Sequence, residues 1–240
     1  MPATATVIRE NLTAMTDRSL LRLQAWLSPG FPVGAFAYSH GIETAVEANK
    51  IYDPDSLLSW IKSVLEFGTG RADAILFCAA WWAINSKDMA ALYSVAERAA
   101  ALRSTAELAQ ESTVQGRAFS QTIAAAWPQD ATTGLLEDWH GPVAYPVAVA
   151  TASAGHGIGL NDSLCAYLHA FAANLVSAGV RLIPLGQTDG QRTVAALEDP
   201  ILALAAVAPD LPLSDAGSAT WMVDWCSMKH ETQRTRLFRS

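Results

Sequence analysis

Residues Ala74–Ile84 read AILFCAAWWAI, the longest apolar run in the chain. As a helix, such a run rises about 16 Å, roughly half the hydrocarbon thickness of a bilayer. It is too short to span a membrane and too apolar to face water, so it reads as a buried core helix of a helical protein. The composition agrees. Of 240 residues, 51% are hydrophobic and 16% charged, which excludes a disordered chain. Alanine is abundant and runs of Val, Ile and Thr are few, which favours helix over sheet.

Helix punctuation recurs on both sides of that run. Asp53-Pro54-Asp55-Ser56 places an N-cap Asp before an N1 Pro, ahead of Leu57, Leu58, Ile61 and Leu65. Asp199-Pro200 reads as a second such start. Thr188–Gln191 has the capping-box pattern. Asn161 is placed to cap a helix through Leu164, Leu168, Phe171 and Leu175, and Ser214 one through Trp221, Trp225 and Met228. The expectation is an all-α, single-domain bundle of ten or eleven helices, with residues 1–17 a disordered lead and 18–240 the domain. Breaks fall at Ser28–Phe36, Trp127–Gly134 and Ser153–Asp162. The first, SPGFPVGAF, is unusual because a helix–helix linker is normally polar. Its apolar residues serve equally as a core corner, with Phe31, Val33 and Phe36 tucked inward, or as a preordered binding surface.

The net charge of −7 gives no basic face for nucleic acid. Three widely spaced cysteines argue against a disulfide framework and for a reducing compartment. With no signal-peptide pattern, a cytoplasmic protein without a membrane segment is expected. There is no P-loop, nucleophile elbow or zinc-protease motif. Gly155–Gly159 is glycine-rich, but without a preceding strand it reads as an interhelical loop. Cys165/His169 and Cys226/His230 stand at i, i+4, half a metal site each, and core packing is the plainer account. Glu107/Glu111, also i, i+4, read as a solvated face between Arg103 and Arg117 rather than an acid–base pair. The final segment carries Arg234, Arg236 and Arg239 around Leu237-Phe238. Arginine with an aromatic anchor suits an interface better than a frayed end.

Four stretches together resemble the UreF family of urease accessory proteins. They are SPGFPVGAFAYSHGIETAVE (28–47), HGPVAYPVA from His140, VRLIPLGQTDGQR (180–192) and the terminal HETQRTRLFRS. Gly141 and Pro146 depart from the family pattern within the second. The resemblance implies an all-helical homodimer that is not an enzyme and holds no cofactor of its own. It implies binding to a UreD/UreH-type accessory protein, recruitment of the GTPase UreG, and coupling of GTP hydrolysis to nickel delivery into apo-urease. By resemblance, the tail residues Arg236, Leu237, Phe238 and Arg239 contact the UreD-type partner, with His230 and Glu231 at the base. Tyr38, Glu43 and Arg181 fall near the dimer axis or the GTPase-facing surface, with Tyr38 presented outward by the opening loop. The competing reading is a metallochaperone that binds nickel directly through its Cys/His pairs.

Overall fold

The computed structural model describes residues 15–240. The expected disordered lead, 1–17, lies almost wholly outside them. Twelve α-helices and three single 3-10 turns, with no strand, make up the described residues. In chain order they are α1 (Asp17–Trp26), α2 (Ile42–Glu47), α3 (Pro54–Phe67), α4 (Thr69–Asn85), α5 (Met89–Ala101), α6 (Ala106–Ala126), α7 (Asp130–Asp138), α8 (Tyr145–Gly155), α9 (Leu160–Leu182), α10 (Gln187–Ala195), α11 (Glu198–Val207) and α12 (Trp221–His230).

The run Ala74–Ile84 lies within α4, at the centre. Most of α4 is buried, as is every residue of α8 from Pro146 to Ser153. A helix apolar on all sides must be enclosed by others. Here α4 and α8 pack on each other, and α3, α5, α6 and α9 surround them. α6 comes close to the start of α8 because residue 116 is glycine. A Cβ there would stand 2.1 Å from the carbonyl oxygen of Val143 and under 3 Å from Ala144 and Tyr145 backbone atoms. α9 is the one helix among the described residues long and apolar enough to cross a membrane. Half of its apolar stretch is buried, and it packs against α3, α8, α10 and α11.

The Asp53 cap forms as read: Asp53 accepts from the Ser56 amide at 2.8 Å, and Ser56 returns the capping box. Other starts shift. α11 begins at Glu198, ahead of Pro200; α10 follows Gly186 and α9 follows Gly159, neither with a side-chain cap; and α12 begins after Thr220 rather than Ser214. The second break is half helix, because the Gln129 side chain caps α7 by accepting from the Ala131 amide. A glutamine at an N-cap carries no strong sequence signal.

The opening loop splits its phenylalanines. Phe31 and Val33 are buried, and the Phe31 ring lies 5.2 Å from Phe119 and 6.3 Å from Trp127. Phe36 instead points outward at 66% exposure, with the Arg181 guanidinium 3.8 Å from its centroid. The corner therefore fills the core with one ring and holds the other at the surface.

Candidate partner-binding site at the C-terminal tail

α12 crosses α2 at close quarters. Gly41, at φ +79°, leaves no Cβ where one would meet the Ser227 amide at 3.2 Å and the Val223 carbonyl at 3.3 Å. That approach brings the end of α12 and residues 231–240 over a row of carboxylates. α6 supplies Glu107 and Glu111, one turn apart, and α2 supplies Glu43; all three are buried. The expected solvated face at Glu107/Glu111 is thus corrected. Glu107, Glu111, Gln115, Phe119 and Ile123 form one i+4 ladder on α6, and all of it faces inward. That ladder was the available signal: the carboxylates share a stripe with two core residues.

Each carboxylate has named partners. Glu43 accepts the backbone amides of Leu237 at 2.6 Å and Phe238 at 2.9 Å, and faces His230 Nε2 at 3.1 Å. Glu107 faces His230 Nδ1 at 2.7 Å and pairs with Arg236 Nη1 at 2.9 Å. Glu111 faces His40 Nδ1 at 3.2 Å and accepts from Ser240 Oγ at 2.7 Å. Thr69 Oγ1 lies 3.0 Å from His40 Nε2. His230, fully buried, thus bridges two carboxylates through both ring nitrogens. A neutral imidazole has one donor, so satisfying both sides takes a second proton within the group. Desolvation pushes the Glu111 carboxyl up, but His40, Ser240 and Arg103 outweigh it and hold it below its ordinary value.

The tail completes this cluster as a docked peptide. Arg239 N donates to the Ala37 carbonyl at 2.8 Å, and Ser39 N donates to the Ser240 carbonyl at 2.9 Å, reinforced by the Ser39 hydroxyl. Phe238 is 4% exposed, with the Arg181 guanidinium 4.2 Å from its ring. Arg181 is therefore sandwiched between Phe36 and Phe238, an arrangement that suits its planar cation. Burial depresses its ionisation, and one of its terminal nitrogens has no hydrogen-bond partner.

Apart from Arg181, which is half-buried, the residues picked from sequence fall into two groups. Glu231, Arg236, Leu237 and Arg239 are exposed, Leu237 at 63%. Tyr38, Glu43, His230 and Phe238 are buried beneath or within the tail. The outward placement expected of Tyr38 is corrected: the residue is 3% exposed, and the tail lies against the strip Ala37–Ser39. Ser39, His40, Thr69 and Ser240 belong to the site and were not legible, being small or lone polar residues in unrelated segments.

The cysteine pairs do not join this cluster. Burial pushes the Cys226 thiol to about 11, and both nitrogens of its neighbour His230 are taken by carboxylates. Cys165 and His169 share the lining of a surface hollow with Asp162; burial raises the Cys165 thiol, with Asp162 adding to it. Among the described residues no group of three or more His, Cys, Asp or Glu is arranged to hold a metal ion.

Fold and site together define an all-α protein whose polar core is built to hold a C-terminal peptide. The UreF family model matches residues 51–198. Proteins named urease accessory protein UreF are similar over nearly the whole chain. That of Rhodopseudomonas palustris strain BisB5 is 48% identical over 229 residues, covering 95% of this chain and 94% of its own. That of Granulibacter bethesdensis is 49% identical over 224 residues, covering 93% and 95%. That of Azorhizobium caulinodans is 50% identical over 222 residues, covering 92% and 96%. The chain belongs to the UreF family of urease accessory proteins.

Proposed function

We propose that this chain acts as a scaffold in urease maturation: as a cytoplasmic homodimer it binds a UreD/UreH-type accessory protein, and the pair recruits a UreG-type GTPase and couples GTP hydrolysis to nickel delivery into apo-urease. Family membership supports the accessory role. The observation that carries the partner reading is the division of labour in the tail. Phe238 and Ser240 are sunk into the protein, while Leu237 and Arg239 between and beside them project outward. α12, from which the tail issues, adds an exposed face of Trp221, Met222, Trp225 and Met228. Large apolar and aromatic side chains with arginines nearby are what protein interfaces favour.

In this reading Glu231, Arg236, Leu237 and Arg239 touch the UreD-type partner. Tyr38, Glu43 and His230 hold the tail in the shape the partner meets, and Arg181 braces it through Phe238. The chain supplies docking and positioning; nucleotide and nickel chemistry reside in its partners.

Light scattering on a sizing column tests this, with the chain alone and co-expressed with the UreD-type protein of the same source. The expected result is a dimer that grows into a two-plus-two complex, lost when Arg236–Ser240 are deleted. Leu237→Asp and Arg239→Glu, both at exposed positions, are expected to lose the complex while the melting temperature holds. Full-yield copurification of the truncated chain defeats the reading. Calorimetric titration with nickel separates it from direct metal binding, which predicts a tight site lost in Cys165→Ser or His169→Ala.

A further inference from the structure

We propose that the cavity between the opening loop and α9 is a binding site for a small neutral molecule with an apolar body and a carbonyl- or amide-type acceptor at one end. The cavity has a volume of about 270 Å³. That exceeds the roughly 150 Å³ that suffices for benzene in an apolar cavity. The loop's Phe31, Val33 and Phe36 form one wall, and Ala170, Phe171 and Ala173 of α9 form the other. These walls are mostly apolar, with His169, Asn174 and Ser177 the polar members on α9; the floor is polar.

Arg103, Gln115 and Tyr145 make that floor. The Nη2 of Arg103 is committed to Asp73 at 2.7 Å and to Ser112 at 3.0 Å. Its Nη1 donates to no acceptor among the described residues. Neither does the side-chain amide of Gln115, which is 5% exposed, nor the Tyr145 hydroxyl. Three donors with no partner in the protein thus face the cavity, open to whatever fills it. An occupant that offers acceptors to this floor and apolar surface to the walls satisfies both.

The charges argue for a neutral occupant. Arg103 already faces Asp73, and Glu111, also in the lining, faces His40 and takes the Ser240 hydroxyl. A carboxylate entering here meets the Glu111 carboxylate, and the Arg103 cation is already paired with Asp73. A carbonyl meets donors without adding charge. The mouth is reached past Phe36, His169 and Ser177, all exposed.

The test uses the purified full chain with benzamide as probe and benzoate as its charged counterpart, read by calorimetry and by ligand-observed NMR. Benzamide is expected to bind saturably at one site per chain, and benzoate at least about ten-fold more weakly. Tyr145→Phe removes a hydroxyl that bonds nothing in the protein, so the fold is kept while benzamide affinity falls about 3- to 10-fold, the range of one net hydrogen bond. Ala173→Trp fills the shaft and is expected to abolish binding; should that variant not fold, Tyr145→Phe decides. The proposal is overturned if benzamide does not saturate, if Tyr145→Phe binds it unchanged, if a folded Ala173→Trp still binds it, or if benzoate binds as tightly. Because partner binding is not part of the readout, the outcome is independent of the scaffold reading.

Discussion

Two interiors coexist in this protein. Around α4 and α8 the packing is apolar and close, held by alanine, glycine and aliphatic side chains. Under the tail, the interior is three carboxylates, two imidazoles and a peptide. The first depends on volume and shape, apart from the buried Asp73 of α4 with its partners Arg103 and Tyr167. The second depends on each charge having its counterpart, and some of those counterparts arrive only when residues 236–240 are docked. A region stabilised by volume cannot be released without unfolding. A region stabilised by paired charges and one docked peptide can be opened locally, so the polar interior is where a partner or a change of pH can act.

The largest expected effect breaks the apolar side. Gly116→Val drives side-chain carbon into the Val143–Tyr145 backbone, which cannot yield without separating α6 from α8. A loss of more than about 5 kcal/mol is expected, beyond the usual range for overpacking, seen as a collapse of the cooperative melt by circular dichroism. A melt shifted by only a few degrees defeats that account of the glycine.

Glu43→Ala is next and bears on the polar side. It leaves two tail amides and His230 Nε2 without their acceptor, and breaking such a buried pair costs about 3–5 kcal/mol. The loss should be local. Amide hydrogen exchange is expected to lose protection at Leu237, Phe238 and Arg239 while α4 and α8 stay protected. Uniform loss across all helices means the two interiors are one cooperative unit.

pH sharpens the contrast. The Glu111 carboxyl is held below its ordinary 4.5, so its contribution is present above that value and is lost as pH falls through the depressed folded one. Tail protection is therefore expected to fade in acid, below about pH 4.5, before the α4–α8 core does. Glu111→Gln should flatten this acid limb. An acid limb unchanged in Glu111→Gln removes Glu111 as its source.

The smallest effect compares neighbours in the tail itself. Phe238→Ala removes a buried ring from under Arg181 and should cost about 3 kcal/mol of tail stability. Leu237→Ala, at an exposed position, should stay within about 0.5 kcal/mol in the isolated chain. If both variants weaken the tail equally, the inward–outward division is wrong.

Much of the apolar interior was legible. Residues Ala74–Ile84 announce a buried helix by hydropathy alone and Asp53 announces the start of α3, whereas the corner reading fits Phe31 and Val33 but not the exposed Phe36. These signals are local: a cap, a turn and a 3.6-residue period are written within a few positions. α7 was missed because a glutamine cap carries little weight. The polar interior was half legible. Glu43, His230 and the tail residues were named through family resemblance, but Glu107 and Glu111 were placed in solvent and Tyr38 on the surface. What makes a buried glutamate tolerable lies elsewhere in the chain: Glu43 finds its amide donors 194 and 195 residues away. Sequence by itself determined the helical class, the central helix and the family, because helix periodicity and motif order are properties of neighbouring residues. Only the tertiary structure decided which carboxylates are buried and that the tail folds back on its own chain, because a charge leaves water only when distant segments bring it hydrogen-bond partners.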